Sequence, residues 1–288
     1  MTHMKYGFVL PYGDARTAAD LAAIAEEHGW DGFFVWEGIW AIDAWVSLAA
    51  AAMCTERIRL GTMLTPLPRR KPWELAGQTS TLDNLSGGRV TLSVGLGVSG
   101  EDRFWLFEDD PGRRVRAERL DEGLAMLESL WREEPFEFHG THYRSRVIDT
   151  LEPPAPPAPV QKPRIPVWVV GGWPRPKSMR RAARWDGWLP NYAPVGATER
   201  LEFTPDLLRA GVDWIRAHRA ESGLTMDGYD IVMEGSTSAD DPRGAAATVR
   251  PWADAGATWW LDATWGLEPA RVREESERRL RAGPPTLD

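Results

Sequence analysis

Two glycine groups stand where short apolar runs end, Gly95-Leu96-Gly97 and Gly171-Gly172. A missing β-carbon there would let a flat or phosphorylated ligand approach bare backbone. Ser178 follows the second pair near an expected helix start, where free N–H groups and the helix dipole favour a phosphate. Two such places on neighbouring loops suggest one long ligand, although glycines that merely permit tight turns would look the same. Gly95-Leu96-Gly97 lacks the third glycine of a dinucleotide fingerprint, so it does not read as a Rossmann site. Acidic residues end two further runs, Glu37 and Asp262, and either could move a proton or anchor a loop. The chain has 16 tryptophans, and Trp36, Trp40, Trp105, Trp173, Trp188 and Trp265 fall at run ends. Such rings suit either stacking on a planar ligand or core packing.

Basic residues gather at Arg69-Arg70-Lys71, at Arg113, Arg114, Arg116 and Arg119, and at Arg175, Lys177, Arg180 and Arg181. Each cluster follows an expected strand, which would place all three at one rim as a local anion-attracting field, unless they simply flank helices. Overall the chain is acidic, with a formal charge of −8, which argues against general nucleic-acid binding.

Other chemistries lack their residues. None of His3, His28, His139, His142 and His218 ends an expected strand, and His139-Gly140-Thr141-His142 has no evident third ligand, so no metal site is expected. No lysine among Lys5, Lys71, Lys162 and Lys177 sits at a strand end as a Schiff-base lysine would. A nucleophile elbow and a P-loop are also missing. Cys54 is the sole cysteine, the first ten residues do not resemble a signal peptide, and no apolar run is long enough to span a bilayer. A reducing cytoplasm is the expected location.

The elements that must position these residues alternate. Strands are expected at Lys5 to Leu10, Gly32 to Trp36, Ile58 to Leu64, Arg89 to Val94, Pro166 to Val170, Gly187 to Leu189, Tyr229 to Glu234 and Thr258 to Asp262. Helix-period segments separate them, clearest at Leu120, Leu124, Leu127 and Leu130. Eight βα units predict an α/β fold, a TIM (β/α)8 barrel, as a single domain over 1–288. The stretch from Pro135 to Pro166, with the proline-rich run Leu151 to Pro159, reads as a surface insertion.

Four runs together carry a family resemblance: Arg57-Ile58-Arg59-Leu60-Gly61-Thr62-Met63-Leu64-Thr65-Pro66, Leu82-Asp83-Asn84-Leu85-Ser86-Gly87-Gly88-Arg89-Val90, Arg116 to Leu124, and Ile165 to Gly172. In this order, over most of the chain, they resemble the luciferase-like monooxygenase family. The resemblance implies a barrel that binds reduced FMN or the deazaflavin F420 at the strand C-terminal end. It implies a non-prolyl cis peptide at Thr62-Met63 against the ring, cofactor contacts at Gly97 and Val98, a phosphate near Gly171, Gly172 and Ser178, and Trp188 beside the ring with Trp173 on the same rim. It also implies an oxidoreductase or monooxygenase acting on a small molecule, a homodimer, and a separate reductase that supplies reduced cofactor.

The chain departs from its relatives at two positions. Many place a histidine beside the acidic residue after strand 2, where this chain has Glu37-Gly38, so Glu37 becomes the candidate acid or base. Relatives that oxidise a sugar phosphate with F420 often carry Glu after strand 4, where this chain has Val98. Loss of the histidine leaves a second reading open, a barrel that binds a flavin or deazaflavin without catalysis.

Overall fold

In a computed structural model, described for residues 4–98, 105–132, 134–148, 156–194 and 202–287, strand and helix alternate eight times. The order is β1 (Lys5–Leu10), α1 (Ala15–Glu27), β2 (Gly32–Val35), α2 (Ala44–Met53), β3 (Arg59–Thr62), α3 (Pro72–Ser86), β4 (Val90–Val94) and α4 (Arg113–Trp131), followed by β5 (Val167–Trp173), α5 (Pro176–Arg184), β6 (Gly187–Tyr192), α6 (Pro205–Glu221), β7 (Asp230–Gly235), α7 (Pro242–Asp254), β8 (Trp259–Ala263) and α8 (Val272–Arg281). Local chemistry sets the helix ends. Asp14, Asp43, Thr204 and Asp241 accept first-turn N–H groups, proline opens α3, α5, α6 and α7, and Gly87 closes α3 at φ +67°.

All eight strands pair in parallel and β1 closes on β8, which gives the expected TIM barrel. Its strands alternate sides with a period of two. Val9, Phe34, Met63, Trp168, Leu189, Val232, Trp259 and Leu261 fill the interior, while Phe33, Val35, Val169, Trp188, Met233 and Trp260 pack outward against the helices. Phe34, Trp168 and Trp259 plug the interior, with ring centroids 5.2–6.2 Å apart. Gly61 makes room for this plug: a β-carbon there would lie 2.2 Å from the Thr91 carbonyl oxygen and 3.0 Å from the Phe34 ring.

One motif behind the family resemblance is architectural. Arg89, from Gly87-Gly88-Arg89, is buried and donates to the carbonyls of Ala52, Thr55, Ile58 and Ser86, capping the end of α2. Asp262 is architectural too. It is fully buried, bonds Thr237, and pairs with Arg279 of α8 at 3.1 Å, tying the last helix to the barrel. Within the expected insertion, Phe136 bridges Ile148 and His139 bridges Arg144 as a short antiparallel ribbon against α4. Glu122 of α4 accepts the N–H groups of Thr141, His142 and Tyr143. The run Leu151 to Ala155 of the proline-rich stretch lies outside the described residues. Among the described residues no helix is long and apolar enough to cross a membrane.

Candidate functional site

At the C-terminal end of the strands lies a cavity of about 490 Å³. Its floor is apolar, formed by Met63 and Leu64 after β3, Gly95 after β4 and Val170 of β5. Its two sides differ. On the β4–β5 side stand Leu96, Gly97, Val98, Gly172, Ser178 and the two cations Arg113 and Arg116; across from them stand Trp36, Glu234 and Trp265. Asn191 of β6 lies between the two groups in the barrel order.

The cationic side is built from backbone and arginine. Gly97 adopts φ +76°, and a β-carbon there would approach Pro66 to 3.1 Å. Arg116 is buried, donates to the carbonyls of Gly97 and Val98 and pairs with Asp110, which fixes the loop after β4. Trp105 closes the same loop, donating to the Val98 carbonyl with the Arg69 guanidinium 4.8 Å from its ring centroid. Ser178, in the first turn of α5, accepts the Gly172 N–H at 2.9 Å, so its own hydroxyl proton can turn to an anion. Although Arg113 is exposed, the partial desolvation of its guanidinium and then the neighbouring guanidiniums of Arg175, Arg116 and Arg181 lower its pKa. Arginine remains protonated all the same, and although Arg116 and Arg181 pair with Asp110 and Asp121, Arg113 and Arg175 leave this side positive.

The opposite side is aromatic and acidic. Trp36 meets Trp265 edge to face, at 80° and 6.2 Å, with Tyr12 at 76° and 5.8 Å from Trp36. The Trp265 indole N–H donates to Glu234 Oε1. Beyond the cavity, the exposed Trp40 ring contacts Phe107 at 6.5 Å.

Strand pleating decides which expected residues reach the cavity. Met63, Gly97, Val98, Gly172 and Ser178 line it. Thr62, Gly171, Trp173, Trp188 and Glu37 do not, and each has the outward parity of its strand. Trp188 is wholly buried outside the barrel, where its indole donates to the Gly171 carbonyl and its ring lies over Gly211 of α6. Gly171 serves that packing, since a β-carbon would come within 2.5 Å of the indole nitrogen. β5 continues through both glycines, which leaves Trp173 packed on the outer layer. The Thr62 hydroxyl bonds Thr65 at 2.9 Å.

The cis peptide is Met63-Leu64, one bond beyond the expected Thr62-Met63. The ladder to β2 extends through the Met63 N–H, which donates to Val35, so the chain leaves the sheet a residue later. Glu37 is buried behind the wall, where it accepts from Thr65 at 2.6 Å and pairs with Arg70 at 3.2 Å. Burial raises its pKa, against the opposing pull of Arg70 and the Thr65 hydroxyl. Its contacts brace the β3 loop, and it is not among the residues that line the cavity, where a proton-transfer group was expected. Glu234 was missed, yet it is the strand-end carboxylate with inward parity: Val232 points in, Met233 out and Glu234 in.

A parallel eight-stranded barrel with a glycine-lined, cation-flanked mouth belongs to the class of barrels that act on ligands at the strand C-terminal end. Residues 4–287 match the luciferase-like monooxygenase model, and the chain belongs to that family. A putative coenzyme F420-dependent oxidoreductase of Mycobacterium tuberculosis is 31% identical over 267 residues, 86% of this chain and 71% of that protein. The monooxygenase RslO1 of Streptomyces bottropensis superposes with a TM-score of 0.78 at 22% identity, over 97% of each chain. The oxygenating constituent of 3,6-diketocamphane monooxygenase from Pseudomonas putida, solved with FMN, gives 0.74 at 17% identity over 99% of each.

Proposed function

We propose that the chain is an oxidoreductase that binds a reduced flavin-type cofactor, FMN or F420, across the mouth of the barrel and acts on a small organic molecule beside it. The observation that carries this reading is the division of one cavity into a cationic side and an aromatic, acidic side over an apolar floor. A planar ring system with an anionic tail is amphiphilic in the same sense. Gly95 and Gly97 leave space that side chains would fill, Met63, Leu64 and Val170 offer an apolar bed for the ring, and Arg113 with the Ser178 hydroxyl offers charge and a donor to a phosphate. Names borne by relatives, F420 in one and FMN in another, fit that shape.

When bound, such a cofactor supplies hydride or, with oxygen, an oxygenating equivalent. The chain's own residues bind the tail, hold the ring against the β3–β4 end and wall off water with Trp36 and Trp265. Positive charge continues past Arg113 and Ser178 to Arg175 and Lys177 at the start of α5. A single phosphate does not need that much charge, so the surplus favours F420, whose tail carries further carboxylates. The test is an equilibrium titration with F420 and with FMN, read by quenching of tryptophan fluorescence. Saturable binding of at least one, tighter for F420, is expected; binding of neither would refute the reading.

A further inference from the structure

We propose that Glu37 and Thr65 are positioning residues for the cofactor: from behind the cavity wall, their buried hydrogen bond holds the bed on which the cofactor ring lies. This rests on the cofactor reading, which puts the ring over Met63 and Leu64.

The ladder between β2 and β3 ends where the Met63 N–H donates to the Val35 carbonyl. Beyond it Leu64 and Pro66 line the cavity, while Thr65 between them is wholly buried and does not. The Thr65 backbone joins the loop to β4, its N–H donating to the Ser93 carbonyl and its own carbonyl accepting the Gly95 N–H. Its side chain joins the loop to the end of β2, donating to Glu37 Oε2 at 2.6 Å. A carboxylate only accepts, so the Thr65 oxygen in turn accepts from the Thr62 hydroxyl, 2.9 Å away. One run of hydrogen bonds thus leads from the last residue of β3 through the loop to β2. Arg70 holds the other carboxylate oxygen at 3.2 Å and donates to Gln78.

This loop and the glycines after β4 are in close contact. A β-carbon on Gly95 would lie 3.0 Å from Leu64, and one on Gly97 would lie 3.1 Å from Pro66. A shift of Leu64 or Pro66 is therefore passed to the two glycines whose bare backbone makes room for the cofactor. A charge-assisted bond behind the wall keeps that bed in one shape before the ligand arrives, so its loss is felt as affinity.

The double variant Glu37→Met/Thr65→Val tests the proposal. It removes both partners at once, so neither a buried carboxylate nor its donor is left alone and the fold is spared. Arg70, a quarter exposed, keeps Gln78 and water, and the Thr62 hydroxyl keeps the Ser93 carbonyl. F420 and FMN are titrated well below the melting midpoint of each protein. The double variant should bind at least about fivefold more weakly than wild type, with altered circular dichroism bands of the bound cofactor. Thr65→Val alone should show the same loss, and Thr65→Ser, which restores the hydroxyl, should recover most of it. A merely structural role would lower the midpoint and leave the Kd and the bands of the folded protein as they are. A smaller loss in the double variant, or an equal loss in Thr65→Ser and Thr65→Val, would overturn the proposal. If the double variant does not fold, the comparison of Thr65→Val with Thr65→Ser decides on the same threshold. Wild type that binds neither cofactor would refute the cofactor reading and this proposal with it; wild type and double variant that bind equally would refute this proposal alone.

Discussion

Arg113→Gln separates ligand binding from stability, because the structure gives the two opposite signs. In the folded chain without an anion, Arg113 is exposed near Arg175, Arg116 and Arg181, the last two paired with Asp110 and Asp121, and no ion pair for Arg113 itself occurs among the described residues. Neutralising it relieves like-charge repulsion, an effect of only a few tenths of a kcal/mol at an exposed site. A cofactor phosphate at Ser178 would instead lose a charge-assisted hydrogen bond worth about 1.5–3 kcal/mol. That converts to a roughly 10- to 150-fold weaker Kd. Titration followed by tryptophan fluorescence measures the first quantity, and thermal melting without ligand measures the second. Arg57→Gln, at the opposite end of the barrel beside Glu26, is the charge-matched control and should leave Kd unchanged. Raising salt should weaken wild-type binding more than Arg113→Gln binding. A Kd within twofold of wild type at low salt would refute the assignment of this side to the anionic tail.

Three further outcomes concern the scaffold. Gly61→Ala should cost at least about 3 kcal/mol or abolish soluble expression, because its β-carbon would overlap the Thr91 carbonyl and the Phe34 ring; urea denaturation measures it. Arg279→Met leaves Asp262 buried without its partner and should cost about 3–5 kcal/mol, read as a lowered urea midpoint. Burial opposes ionisation of Glu26, yet the N–H groups of Ile58, Arg57 and Glu56 outweigh it and hold its pKa below the usual range. A lowered carboxylate pKa stabilises the fold above the unfolded value and ceases to do so as pH falls through the folded one. Glu26→Gln should therefore cost about 2 kcal/mol at pH 7, and urea melts should show the gap closing as pH drops below the ordinary carboxylate range.

The barrel was legible because its signal is repeated. Eight apolar runs of strand length, separated by helix-period segments, admit few other closures, and the edges fell within a few residues of those observed. The glycines and Ser178 on the β4–β5 side were legible for a similar reason, since glycine after a strand marks close backbone approach. Side-chain direction was harder to read. Glu37, Asp262, Trp188, Trp173, Gly171 and Thr62 all stand near strand ends, and all face the helices or brace loops. Parity counted from Phe34 turns Trp36 inward and Glu37 outward; counted from Trp259 it turns Asp262 outward; counted from Val232 it turns Glu234 inward. That count could have been made on the sequence, provided the interior member of each strand was known. It was not, because a strand buried on both faces is apolar throughout and carries no alternation to mark its inner face. The extent of β5 was misjudged for a different reason: Gly171-Gly172 reads as a turn, but here the missing β-carbons let the strand continue past the Trp188 indole.

The central claim is that the divided mouth holds the cofactor with its tail toward Arg113 and Ser178 and its ring over Met63 and Leu64. A crystal structure of the protein grown with F420, and a second grown with FMN, test it most directly. The account predicts ring density on that apolar floor and phosphate density within hydrogen-bond reach of Ser178 in at least one of them. Cofactor density seated anywhere else on the protein, or a tail turned toward Glu234, would contradict it.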